Sequence, residues 1–163
     1  MIEEKYRGIE GNITSDNFIQ RKLAKIKHGI DHIKGLQERI REYDNEVTES
    51  LLMGDVERSK HYIGYMIEYR KDLEKAKNML EERLKVWEQE DKVKVPIFYL
   101  RKSHWEIEDD LNLLHRAKEF YEDEIKLKEQ SEMDTEHYTL VVRYLERLTE
   151  ELKKFSKVKK FIF

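Results

Sequence analysis

The apolar residues of this chain recur every three or four positions almost from end to end. Beginning at Ile19 they run through Leu23, Ile26, Ile30, Ile33, Leu36, Ile40, Tyr43, Val47 and Leu51. That spacing keeps one stripe on one side of an α-helix, and no alternating strand pattern competes with it. Thr14, Ser15 and Asp16 suit the start of this helix, because their side-chain oxygens can accept the amide hydrogens of a first turn. Residues 1–14 contain Gly8 and Gly11 without periodicity and read as an irregular arm.

The stripe stops at Leu51-Leu52-Met53, followed by Gly54-Asp55. Glycine suits the left-handed residue just past a helix end, and aspartate suits the cap of the next helix. A second stripe then runs Val56, Ile63, Met66, Leu73, Ala76, Leu80, Leu84, Trp87. The two stretches, 15–53 and 56–91, are each on the order of 55 Å long at the rise of an α-helix. So short a connection folds them back antiparallel, as one long hairpin.

Pro96, within Val93-Lys94-Val95-Pro96-Ile97-Phe98-Tyr99-Leu100, lacks an amide donor and biases Val95 toward an extended backbone. The second helix is therefore expected to stop before it, leaving 92–102 as a linker. Ser103 and Glu106 have the spacing of a capping box, each satisfying the other's backbone amide. A third stripe follows: Ile107, Leu111, Leu114, Ala117, Tyr121, Ile125, widened by Leu113, Phe120 and Leu127. The pattern breaks over 131–135, with Asp134 as a new cap. It resumes as Tyr138, Val141, Leu145, Leu148, Leu152, Phe155. The prediction is an all-α protein: a long helical hairpin over 15–91 and a shorter one over 103–163, packed as an elongated four-helix bundle in one structural domain.

One stretch departs from the single-face rule. His61 to Tyr69 is apolar or aromatic nearly all round its helix, so a second layer is expected to cover it. The second hairpin is the expected cover. Alternatively Tyr62, Tyr65 and Tyr69 form an exposed strip for a partner, since tyrosine is enriched at interfaces.

Composition agrees with the pattern. Charged residues make up 41% of 163 and hydrophobic residues 39%, with a single proline, the balance of long helices rather than of disorder. The absence of cysteine excludes disulfides, thiol catalysis and thiolate metal sites. No run of about 18 apolar residues occurs, and the first ten residues are too polar for a signal peptide, so a cytoplasmic protein is expected.

The net charge of −3 hides a division. Residues 20–41 carry +5, with Arg21, Lys22, Lys25 and Lys27 forming a candidate basic face, whereas 42–57 carry −6 and no basic residue. A basic shaft could approach a phosphate backbone; an acidic tip would repel it. The tail from Lys153 holds five lysines, no acid, and ends in Phe161-Ile162-Phe163. It is expected to dock on the protein's own core, with a partner-binding peptide or a membrane-surface helix as the other readings.

Chemistry is sparse. No phosphate-binding glycine loop and no nucleophile elbow is present, and the carboxylate pairs read as solvated faces. His28 and His32 lie one helical turn apart, the spacing of a zinc pair, but away from the apolar stripe and without a third ligand. No Glu-x-x-His occurs, and only Asp134-x-x-His137 comes near it. No catalytic residue, metal or cofactor is therefore expected. The expected function is a non-catalytic helical interaction protein, an adaptor, inhibitor or assembly subunit, that binds another protein or a second copy of itself. Its surfaces would be Tyr62, Tyr65 and Tyr69, the acidic tip, and Phe161, Ile162 and Phe163. The second reading is a nucleic-acid-associated protein working through the basic face and lysine tail. The third is an enzyme whose residues are scattered along the chain.

Overall fold

A computed structural model describes residues 17–162, with side chains through Val158; the arm over 1–14 and the caps at Thr14–Asp16 lie outside the described residues. Four helices follow in order: α1 (Phe18–Leu52), α2 (Val56–Tyr99), α3 (His104–Gln130) and α4 (Glu136–Ile162). They account for 91% of the described residues, among which no strand occurs. Helices α1 and α2 form one hairpin and α3 and α4 the other, so the class is all-α with the packing of a four-helix bundle.

Local chemistry explains each boundary. Asn17 caps α1, its Oδ1 accepting the Gln20 amide hydrogen at 2.8 Å. Gly54, at φ 76°, ends that helix. The Gly54 amide donates to Leu51 O and the Asp55 amide to Ser50 O, the pair of bonds that closes a left-handed helix end. Asp55 then caps α2 by accepting the Arg58 amide hydrogen at 3.1 Å. Ser103 caps α3 by accepting the Glu106 amide. The expected reciprocal bond differs: the Glu106 carboxylate receives the Ser103 hydroxyl rather than its amide. At the α3–α4 turn Glu132 takes φ 58°, a position where glycine would be less strained. Asp134 Oδ1 accepts the Glu136 amide at 3.0 Å, tying down the first turn of α4.

One expectation fails clearly. Helix α2 does not stop before Pro96; it continues to Tyr99 with Pro96 inside it, and the break before α3 is confined to Leu100–Ser103. The cause is packing. Val95 and Tyr99, which flank the proline one turn apart, are both almost completely buried. Their burial holds a helical path that proline alone disfavours.

The chain divides into two compact units across the helices rather than between the hairpins. The first joins residues up to Lys27 with Glu81 onward, and all four helices supply its core. Ile19, Leu23 and Ile26 come from α1, Leu84, Val95 and Tyr99 from α2. Ile107, Leu114, Ala117 and Tyr121 come from α3, and Tyr138, Val141, Leu145, Leu148 and Leu152 from α4. The second unit, His28–Leu80, has two helices only. Ile30, Ile33, Leu36, Met66, Ala76 and Leu80 are buried there, whereas Ile40, Tyr43 and Val47 of the same stripe are only half-buried. Two helices can shield one narrow seam and no more, which is why the stripe thins toward the turn.

Candidate interaction surface

At the turn between α1 and α2 the chain presents apolar side chains outward. Leu52 is 84% exposed and Met53 68%, with Leu51 and Val56 also more than half exposed. Their backbone is held by the glycine closure and the Asp55 cap described above. Ser50 and Ser59 are buried beneath them, and Ser59 donates its hydroxyl hydrogen to Val56 O at 2.7 Å. Small side chains at these two positions leave room for close helix approach. Around the apolar knob lie Glu49, Asp55 and Glu57, while Arg58 pairs with Glu46 at 3.2 Å. The knob is closed at its base by backbone hydrogen bonds, apolar at its summit and acidic at its rim.

The expected tyrosine strip lies in the same unit and is organised differently. It stays open among the described residues: Ile63, Tyr65 and Ile67 remain between 42% and 50% exposed. Tyr43 of α1 instead gathers the tyrosines, with ring centroids 5.7 Å from Tyr62, 5.5 Å from Tyr65 and 5.5 Å from Tyr69. Arg58 lies over the Tyr62 ring at 5.7 Å. Tyr62 and Tyr69 are half-buried by this clustering and Tyr65 keeps half its surface. Tyr43 was legible only as a stripe residue; its role as hub required the pairing of the two helices.

Of the expected basic face one member is withdrawn from the surface. Lys22 is buried, its ammonium 2.9 Å from Asp91 Oδ1 and 4.1 Å from the Trp87 ring centroid. Tyr144 donates its phenolic hydrogen to the other Asp91 oxygen at 2.5 Å. Burial pushes the Lys22 ammonium below the usual lysine range, and Asp91 opposes that shift. Burial first, then the Asp91 charge, push the Tyr144 phenol well above its usual range. Arg21 lies over the Phe98 ring and Lys25 near Trp87, at 5.9 and 6.0 Å, and Lys27 is half-buried. Lys22 is therefore withdrawn from any phosphate backbone. Phe163 and the side chains of Phe161 and Ile162 lie outside the described residues. His28 and His32 both face solvent.

Two further polar sites escaped sequence reasoning. Ser156, buried in α4, donates to Glu108 Oε1 at 3.2 Å and lies 3.3 Å from His104 Nδ1. A hydroxyl between an imidazole and a carboxylate is how an activated nucleophile begins. The three tie α3 to α4. A cavity of about 340 Å³ is lined by Asn17, Phe18, Tyr99, Lys102, Glu106 and Asp110, among others. Its polar walls pair among themselves: Tyr99 donates to Asp110 at 2.6 Å, Asn17 donates to the same carboxylate, and Lys102 pairs with Glu106. Ser156 and Asn17 reach their partners from distant segments, so no local spacing could have announced those contacts.

The chain matches no protein-family model, no curated protein and no solved structure. Among the described residues no helix is long and apolar enough to cross a membrane.

Proposed function

We propose that this is a non-catalytic helical interaction protein that docks the tip of its α1–α2 hairpin into another protein. The observation that carries the reading is the exposed knob of Leu51, Leu52, Met53 and Val56 on a fully capped turn. An exposed apolar cluster rimmed by polar groups is the usual form of a protein-binding site. A pre-ordered turn loses little conformational freedom on binding. The partner's chemistry follows from the rim: residues 42–57 carry six carboxylates and no base, which favours an apolar pocket edged by lysine or arginine and disfavours nucleic acid.

The test compares wild type with the Leu52→Asp/Met53→Asp variant. Both side chains are solvent-facing, so melting should be unchanged. A partner retained by wild type should bind the purified variant at least tenfold more weakly, with affinity falling as salt screens the rim. Equal binding by both proteins would overturn the reading.

A further inference from the structure

The corner between α2 and α3 and the last turns of α4 meet at one end of the first unit. Ser156 of α4 lies 3.2 Å from Glu108 and 3.3 Å from His104, so the end of α4 stands beside the start of α3. The Lys102 amide donates to Tyr99 O at 3.1 Å and closes the corner. Three large apolar side chains are open to solvent here: Trp105 by 79%, Leu100 by 64% and Val158 by 53%. Single exposed apolar residues need no explanation. A tryptophan this open does, since its ring is among the largest apolar surfaces a side chain can bury. Trp105 is the most exposed aromatic side chain among the described residues. It stands in the first turn of a helix whose start Ser103 caps.

Charge at this end runs against the rest of the molecule. Residues 97–106 and 153–160 carry seven cations and one acid, a net +6 in a chain of net −3. Arg101, Lys153 and Lys157 form no ion pair among the described residues, so their charge is open to a partner. Most carboxylates nearby are already met: Glu106 by Lys102 and Glu151 by Lys154, Glu108 by Ser156, and Asp110 by Tyr99 and Asn17. Asp109 and Glu150 are set back along their helices, by about 6 Å from Trp105 and about 10 Å from Lys157 at the rise of an α-helix.

We propose that this end of the first unit binds the surface of an anionic lipid bilayer, with Trp105 and Leu100 entering the headgroup layer and Arg101, Lys153 and Lys157 meeting the lipid anions. Tryptophan favours that depth, where one part of its ring is dry and the other wet. Lysine can lay its stem on the apolar layer and keep its ammonium in water. Either signal alone attaches a protein marginally; apolar insertion and a basic cluster together give reversible binding. A nucleic acid would match the charge but would offer Leu100 and Val158 no apolar layer. A bilayer has that layer directly beneath its anions.

Flotation of the full chain with vesicles tests this, comparing phosphatidylcholine alone with phosphatidylcholine carrying about one quarter phosphatidylserine. The chain should float with the anionic vesicles and stay behind with the neutral ones. Its tryptophan emission should move to shorter wavelength on binding, a shift absent from a Trp105→Ser variant. Leu100→Ser/Trp105→Ser and Lys153→Glu/Lys157→Glu should each weaken binding by about tenfold or more. All four side chains are exposed, so helix content and melting should stay as in wild type. Leu52→Asp/Met53→Asp should float as wild type does, because the hairpin tip takes no part. A chain that stays behind with both vesicles overturns the proposal, as does equal flotation with both, which would deny the cations a role. Flotation unchanged by Leu100→Ser/Trp105→Ser overturns it too, leaving an attraction of charge alone. Duplex DNA bound more tightly than the anionic vesicles at physiological salt would replace lipid by nucleic acid as the partner.

Discussion

The Lys22 ammonium reaches Asp91 Oδ1 at 2.9 Å inside a cage of Trp87, Phe18 and Tyr144 rings. The approach is an ion pair rather than an aligned hydrogen bond, for Oδ1 has no well-directed donor, while Oδ2 is held by Tyr144. One interaction thus joins the first turns of α1, the second half of α2 and the middle of α4. Removing two charges from water costs much of what their attraction returns. The pair's worth lies in what happens when half of it is lost.

Lys22→Met should accordingly destabilise the protein by about 3–5 kcal/mol, because Asp91 would stay buried with its main counter-charge gone. Asp91→Leu should cost as much, leaving Lys22 without its carboxylate and Tyr144 without its acceptor. The combined Lys22→Met/Asp91→Leu/Tyr144→Phe variant should recover most of the loss, since it buries no charge and no unmet hydroxyl. Denaturant unfolding of the four proteins checks this. Strict additivity of the losses would show that the three residues are not one unit.

The buried phenols predict how the fold responds to alkali. Burial and the Asp91 and Asp110 carboxylates raise Tyr144 and Tyr99 above the ordinary tyrosine value of 10.0. The unfolded chain releases these protons near pH 10 and the folded protein holds them. Their stabilising contribution is therefore whole below pH 10 and falls as pH rises beyond it, by about 1.4 kcal/mol per pH unit for each tyrosine. Lys22 acts in the opposite sense. Its lowered value means that stability rises with pH through the window below 10.5, where the unfolded lysine is still charged. Above 10.5 only the tyrosines contribute a slope. Tyr144→Phe and Tyr99→Phe should each flatten the alkaline decline by close to one proton, measured by unfolding at a series of pH values. An unchanged slope would place the phenols in contact with water.

In the second unit the aromatic cluster is centred on a residue of the opposite helix. Tyr43 touches three tyrosine rings within 5.7 Å, and each aromatic pair adds about 0.5–1.5 kcal/mol beyond its buried area. Tyr43→Ala should cost about 2–4 kcal/mol by loss of those contacts. Tyr65→Ala, at a half-exposed edge of the cluster, should cost less than about 1.5 kcal/mol. Thermal melting of the two variants decides between a hub and four equivalent rings.

What was legible in the sequence followed local rules. The α1 stripe from Ile19 to Leu36, the Gly54 closure, the Asp55 cap and the seam from Tyr138 to Leu152 depend on neighbours three, four or seven positions away, and these appear where the spacing puts them. What was not legible depends on residues far apart in the chain. Lys22 reads as one cation in a basic run until Asp91 and Tyr144, dozens of residues later, close around it. Ser156 reads as a tail serine until α3 brings His104 and Glu108 beside it. The tip's acidity was plain from composition, but its apolar summit was not, because Leu51 and Leu52 look like core until the turn shows which way they face.

Pro96 is the place where a sound local rule lost to packing, and its energetics can be measured. A proline at this position leaves the Lys92 carbonyl without its helical donor and crowds it with the ring. Helix α2 nevertheless runs on to Tyr99, because Val95 and Tyr99 bury their side chains on either side of the proline. Pro96 is itself exposed, so replacing it removes no core contact. Pro96→Ala restores the amide donor and relieves the clash, against a loss of about 0.4–1 kcal/mol from the greater freedom of the unfolded chain. The net should be a gain of about 1–2 kcal/mol, read as a higher denaturation midpoint with an unchanged denaturant slope. Tyr99→Ala should act in the opposite direction and shorten the helix, since it removes the buried ring that holds the last turn in place. Amide exchange should then quicken over residues 97–100 before it changes elsewhere in α2. A Pro96→Ala protein less stable than wild type would mean that the ring, not the flanking side chains, sets the path of the chain into α3.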